Sequence, residues 1–142
     1  MPPIPAWKSC HLKKAKDLEF KEVTSQRDTS ISSYGDGGFR IGEQRSKGAI
    51  LITPRGYYPW DAQEARAITL NSLKRIIDQQ DDIDILLLGT GEKMVFLPAI
   101  LRTSLESESF SVDVMATGAA ARTYNILLSE GRKVAAALIA VD

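Results

Sequence analysis

The sequence has one cysteine and one histidine, Cys10 and His11, side by side near the N-terminus. A lone thiol cannot close an intramolecular disulfide. One Cys with one His also falls short of the about three or four ligands that a Cys/His zinc site uses. Net charge is absent too, with 18 Lys and Arg against 18 Asp and Glu. No field over the whole molecule would therefore hold nucleic acid or an anionic membrane. Long apolar runs are missing: the longest, Val134–Val141, is far below the roughly 18 residues that span a bilayer. The first five residues, three of them proline, contain no apolar run of the kind a secretory signal needs. Met1–Lys16 contains no Arg, which argues against a mitochondrial presequence. These absences leave an expected soluble, intracellular protein with neither membrane insertion nor nucleic acid as a partner.

What is present fits one compact core. At 142 residues, 44% hydrophobic and 25% charged, the chain is too apolar to stay disordered. We expect a basic, flexible tail over residues 1–24 and a single α/β domain over 25–142. Charge is segregated along the chain. Met1–Lys16 carries four lysines and no acid, Arg40–Arg75 is net +4, and Ile76–Asp113 is net −6. Such segregation is either ordinary solvated surface or a bipolar face that orients a protein partner.

The elements follow from periodicity and punctuation. Ile31–Tyr34 and Phe39–Ile41 flank Gly35-Asp36-Gly37-Gly38, a hairpin turn by its glycines. Gly48–Thr53 reads as a buried strand and Tyr57–Trp60 as a short edge strand that tolerates Pro59. Leu70, Leu73 and Ile77 recur at helical spacing, with Thr69 as a cap. Ile83–Leu88 is a strand ending at Gly89, and Pro98 suits the first turn of a helix to about Leu105. Phe110–Met115 is a further strand. Thr117 would cap a helix from Gly118 to Glu130 that Gly131 ends, and Val134–Val141 closes the chain as a strand.

Catalytic motifs are poor. Gly89-Thr90-Gly91 follows a strand, but Met94 stands where a dinucleotide turn needs its third glycine. Asp36-Gly37-Gly38 lacks the Gly-Lys-Ser/Thr of a phosphate loop. Cys10 and His11 lie in the basic tail, where nothing fixes a base against a nucleophile. Asp81, Asp82 and Asp84 read as a solvated turn before a strand. No catalytic residue, metal ligand or cofactor is therefore assigned.

The richest stretch is Thr117–Asn125. If the strands ending at Leu88 and Met115 are parallel neighbours, Gly89–Gly91 would lie beside the start of this helix, where open α/β sheets bind ligands. The N–H groups there form a natural anion site. The candidate binding residues are Gly89, Thr90, Gly91, Thr117, Gly118, Ala119, Arg122 and Asn125. In the sharp version the Thr90, Gly118 and Ala119 amides hold a small anion and Arg122 is its countercharge. In the bland version Arg122 pairs with an acid such as Glu92 or Asp113, and Asn125 satisfies neighbouring backbone.

Three segments in order, Ile31–Arg40, Leu86–Gly91 and Thr117–Leu138, carry a family likeness. The chain from about Ser30 to Val141 resembles the small α/β family of unknown function, domain of unknown function 498, nearest to its bacterial branch. That family includes mitochondrial complex I assembly factor 3 and the adipogenesis-associated domain protein. The resemblance implies a three-layer α/β/α sandwich with a mixed central sheet and an N-terminal β-hairpin extension. It also implies an accessory, assembly-factor-like role through protein contacts. The partner would be a respiratory-complex subunit or another assembly factor, met in a bacterial cytoplasm or, in a eukaryote, the mitochondrial matrix. Members often have an acid immediately before the Thr117 position, where Ala116 stands here, so carboxylate chemistry at that point is not implied. The alternative is a binder of a small anionic metabolite, or a weak enzyme, at the Gly89–Thr117 crevice.

Overall fold

The structure is a computed structural model and describes residues 21–22 and 29–142. Cys10, His11 and the lysines of Met1–Lys16 lie outside the described residues. Lys21–Glu22 (β1), inside the stretch expected to be a tail, pairs antiparallel with Gly56–Pro59 (β6).

Most of the expected elements form. Ile31–Gly35 (β2) and Gly38–Ile41 (β3) make the expected hairpin, and both turn residues have positive φ, 54° at Asp36 and 78° at Gly37. That conformation suits a short-sided Asp and a Gly. The hairpin is not the whole extension, because Gln44–Lys47 (β4) adds to β3 and makes a three-stranded antiparallel sheet.

The main sheet has the order β1-β6-β5-β9-β7-β8, where β5 is Ile50–Thr53, β7 Ile85–Gly89, β8 Ser111–Met115 and β9 Val134–Leu138. It is mixed. β9 runs parallel to β7 and antiparallel to β5, and β7 runs parallel to β8. The last strand thus inserts between β5 and β7 and ends at Leu138, not at Val141.

Period-2 alternation divides the strands between two cores. Leu51, Leu86, Leu88, Ala135 and Ala137 face one, and Ile50, Ile52, Leu87, Ala136 and Leu138 face the other. The first core is covered by Lys74–Ile77 (α1), Ala99–Glu106 (α2) and short 3-10 turns, through Leu73, Ile76, Leu101 and Leu105. The second is covered by Thr117–Ser129 (α3), through Ala120, Ala121, Tyr124 and Leu128, and by Phe39 and Ile41 of the small sheet. Small residues at Ala120, Ala121 and Ala136 let α3 and the sheet approach closely. The fold is α/β, with elements packed on both faces of a mixed sheet.

Some local expectations change. The helix around Leu70–Ile77 is a 3-10 turn, Asn71–Leu73, followed by the single α turn of α1. The Thr69 hydroxyl still accepts from Ser72 N–H, as a cap would. Pro98 is the N-cap of α2 and does not sit inside it. Ala116 is the N-cap of α3, because the Thr117 side chain is used elsewhere. Among the described residues no helix is long and apolar enough to cross a membrane.

Candidate functional site

The chain leaves β7 toward α2 on one face and leaves β8 toward α3 on the other. This places the carboxyl ends of two parallel neighbours at the kind of switch point where open α/β sheets bind ligands. Gly89, Thr90, Gly91 and Thr117 do come together there. Thr90 N–H donates to Met115 C=O at 2.9 Å, and Thr117 N–H donates to Gly91 C=O at 2.8 Å.

Thr117 fills this point. Its hydroxyl accepts from Gly91 N–H at 2.9 Å and donates to Ile139 C=O at 2.7 Å, and the residue is fully buried. Ile139 N–H in turn donates to Gly89 C=O at 3.0 Å. One hydroxyl therefore joins the chain leaving β7 to the chain leaving β9. Gly89 is required by the same packing, since a Cβ there would lie 2.9 Å from Thr117 Cα and 2.9 Å from Leu138 Cδ2. The Thr90 hydroxyl also works internally, donating to Lys93 C=O at 2.7 Å and accepting from Val95 N–H at 3.0 Å.

The rest of the predicted set lies along α3. The first intrahelical bond is Ala120 N–H to Ala116 C=O, 2.9 Å, so the N–H groups of Gly118 and Ala119 precede the helical ladder. Arg122 is exposed and donates to the Tyr34 hydroxyl at 3.2 Å; among the described residues it reaches no carboxylate. Pairing with Glu92 or Asp113 is thereby corrected: a phenol from β2 takes that place. The same phenol covers the helix start, because a Cβ on Gly118 would lie 2.6 Å from Tyr34 Oη. Asn125 faces away from Gly89–Gly91. Its Oδ1 accepts from Ile31 N–H at 2.8 Å and its Nδ2 donates to Ile31 C=O at 2.7 Å.

Deeper in this face, the Tyr124 hydroxyl lies 2.7 Å from the Thr29 hydroxyl. Burial pushes the Tyr124 phenol well above the ordinary tyrosine value, and the bond to Thr29 opposes that only in part. Among the described residues no group of three or more His, Cys, Asp or Glu is placed to hold a metal ion.

The sequence reading passed over a second feature. Met94, Val95, Phe96 and Ile100, between β7 and the first turn of α2, are exposed apolar side chains, with Phe96 at 80% and Ile100 at 83%. The signal was available. Leu97, Leu101 and Leu105 are buried, whereas Phe96, in the segment before α2, and Ile100, in its first turn, are large apolar side chains that the core does not use.

The profile of the family described as "Protein of unknown function (DUF498/DUF598)" matches residues 31–139. An uncharacterised Rhodobacter capsulatus protein is 38% identical over 109 residues, covering 77% of this chain and 82% of its own. The human protein named NADH dehydrogenase [ubiquinone] 1 alpha subcomplex assembly factor 3 is 30% identical over 109 residues, 77% of this chain. The match takes in 59% of that protein, so the chain spans about three fifths of the assembly factor's length. A solved Bartonella henselae structure, described as an outer membrane protein, aligns with a TM-score of 0.77 at 40% identity. It covers 83% of this chain and 99% of the other.

Proposed function

The chain belongs to the DUF498/DUF598 family, and from that premise we propose that it is a non-enzymatic accessory domain that acts by protein contact during assembly of a membrane complex. The observation that carries the reading is the group of exposed apolar side chains Met94, Val95, Phe96 and Ile100 around the start of α2. Large apolar side chains concentrated in one exposed segment are the kind of surface that interaction sites use. Fully burying a Phe or Ile side chain contributes about 1.5–3 kcal/mol, so two such anchors suffice for an interface hot spot. The partner is therefore a protein with an apolar acceptor surface. The name carried by the human relative supports a respiratory-complex subunit or a second assembly factor as its class. Residues 25–142 would form the domain that makes this contact.

The test is affinity capture from native cells with the wild type and with a Phe96→Asp/Ile100→Asp variant. Both side chains are exposed, so the variant should keep its fold by circular dichroism. One protein should co-purify reproducibly with the wild type and be lost with the variant. Equal recovery with both would overturn the reading.

A second reading, the small-anion binder, is favoured by one observation. The Arg122 guanidinium bonds a neutral phenol beside the Gly118 and Ala119 amides, which precede the helical ladder, so its charge is not neutralised by a described carboxylate. In this reading Gly118, Ala119 and Arg122 hold the anion, while Gly89, Thr90, Gly91 and Thr117 form the wall behind it. Asn125 positions β2 and, through it, Tyr34. Phosphate should then raise the melting temperature, and Arg122→Ala should abolish the rise. An unchanged melting temperature in the wild type would remove this reading.

A further inference from the structure

β8 is the terminal strand of the main sheet, and among the described residues nothing pairs with its outer edge. Ser111 N–H bonds to Asp84 C=O and Met115 C=O accepts from Thr90 N–H. By the two-residue period of a parallel ladder, Ser111, Asp113 and Met115 point their backbone groups at β7. The N–H and C=O groups of Val112 and Val114 therefore point outward, the template that an added strand requires. The side chains of Val112 and Val114 pack toward the α2 face. There, with Leu97, Leu105 and Phe110, they line a groove of about 310 Å³ between α2 and β8. Arg102 and Glu106 stand at its rim.

We infer that this edge is a strand-acceptor site: an extended, basic segment of a partner protein adds beside β8 and places an apolar side chain in the α2–β8 groove. Backbone pairing would supply affinity and the groove would supply specificity, as in other strand additions. Charge selects the occupant. Glu106 lines the groove, Glu108 lies between α2 and β8, and Asp113 lies in β8. Against these three acids stands one cation, Arg102, so the edge is net acidic, and none of the acids is in an ion pair among the described residues. A second copy of this chain fits worse, because pairing about the middle of β8 would set Asp113 opposite Asp113. The inference rests on the protein-contact reading for the nature of the occupant, but uses a different surface from Phe96 and Ile100.

The probe is a short synthetic peptide alternating valine with lysine, compared with its valine–glutamate counterpart. Amide hydrogen exchange followed by NMR on the full chain should show the Val112 and Val114 amides slowed about tenfold or more by the basic peptide. The acidic peptide should leave them unchanged. Val112→Pro removes one outward donor without touching the β7 ladder, as an edge strand allows, and should weaken binding about tenfold or more. Glu106→Lys, an exposed change with no demand on folding, should weaken it in the same direction. No binding, or protection elsewhere than β8, would overturn the inference. So would Val112 and Val114 protection that grows with the protein's own concentration, since the occupant would then be a second copy. A failed peptide test alongside partner capture that still depends on Phe96 would remove the edge site alone and leave the contact reading standing.

Discussion

The Asn125 side chain bonds the backbone of Ile31 at both of its groups, accepting from N–H at 2.8 Å and donating to C=O at 2.7 Å. An amide on α3 thus stands in for a neighbouring strand and fastens the small three-stranded sheet to the main domain. Asn125→Ala would leave both groups without their partner, which costs about 1–3 kcal/mol for partly buried polar groups. Urea denaturation should show that loss, and the Ile31 amide should exchange faster. A loss below about 0.5 kcal/mol would mean water replaces the side chain freely.

Thr117 makes a sharper case because its hydroxyl is both donor and acceptor. Thr117→Val keeps the shape but strands Gly91 N–H and Ile139 C=O, and should lower stability by about 2 kcal/mol. Thr117→Ser keeps both bonds and should lose less. Chemical denaturation of the pair checks this; equal losses would show that the methyl group, not the hydroxyl, holds the strand ends.

Two glycines should respond differently to alanine. At Gly89 the added Cβ meets Thr117 Cα, a backbone atom that cannot move alone, so Gly89→Ala should destabilise by about 1–3 kcal/mol through overpacking. At Gly118 it meets the hydroxyl end of Tyr34, which is held by an exposed bond to Arg122 and can swing aside. Gly118→Ala should therefore be near neutral, since alanine favours the helix by up to about 1 kcal/mol. Melting temperatures of the two variants decide it, and a Gly118→Ala loss as large as that of Gly89→Ala would contradict the account.

Alkaline pH should weaken the fold through Tyr124. Burial raises its pKa above the ordinary value, so the folded protein keeps a proton that the unfolded chain gives up. The stabilising difference is intact below pH about 10 and is lost as pH rises beyond it. Tyr57, raised by burial in the same direction, adds to the slope. Tyr124→Phe should flatten the fall in stability above pH about 10. An unchanged slope in that variant would assign the effect to other groups.

The strands were legible because their pattern is local. Leu86-Leu87-Leu88 reads as buried on both faces, and Asp36-Gly37 as a turn, without any knowledge of neighbours. The order of the strands was not, because nothing in Val134–Leu138 announces that it inserts between β5 and β7. The Gly89–Thr117 approach followed from parallel pairing, but the direction of the Thr117 hydroxyl did not. Its partner, Ile139, lies just past the end of β9, 22 positions later in the chain. Tyr34 covering Gly118 was hidden for the same reason: the contact joins two elements 84 positions apart in the chain. Phe96 and Ile100 were within reach of composition, since Met94–Leu101 holds six large apolar residues and the core takes only Leu97 and Leu101.

The proposed contact surface is tested most directly by a photo-crosslinking amino acid placed at position 96 in the protein expressed in its native cells, with the same group at exposed Glu43, beside the small sheet, as control. The account predicts one reproducible protein adduct at position 96 and none at 43. No adduct at 96, or the same adducts from both positions, would contradict it.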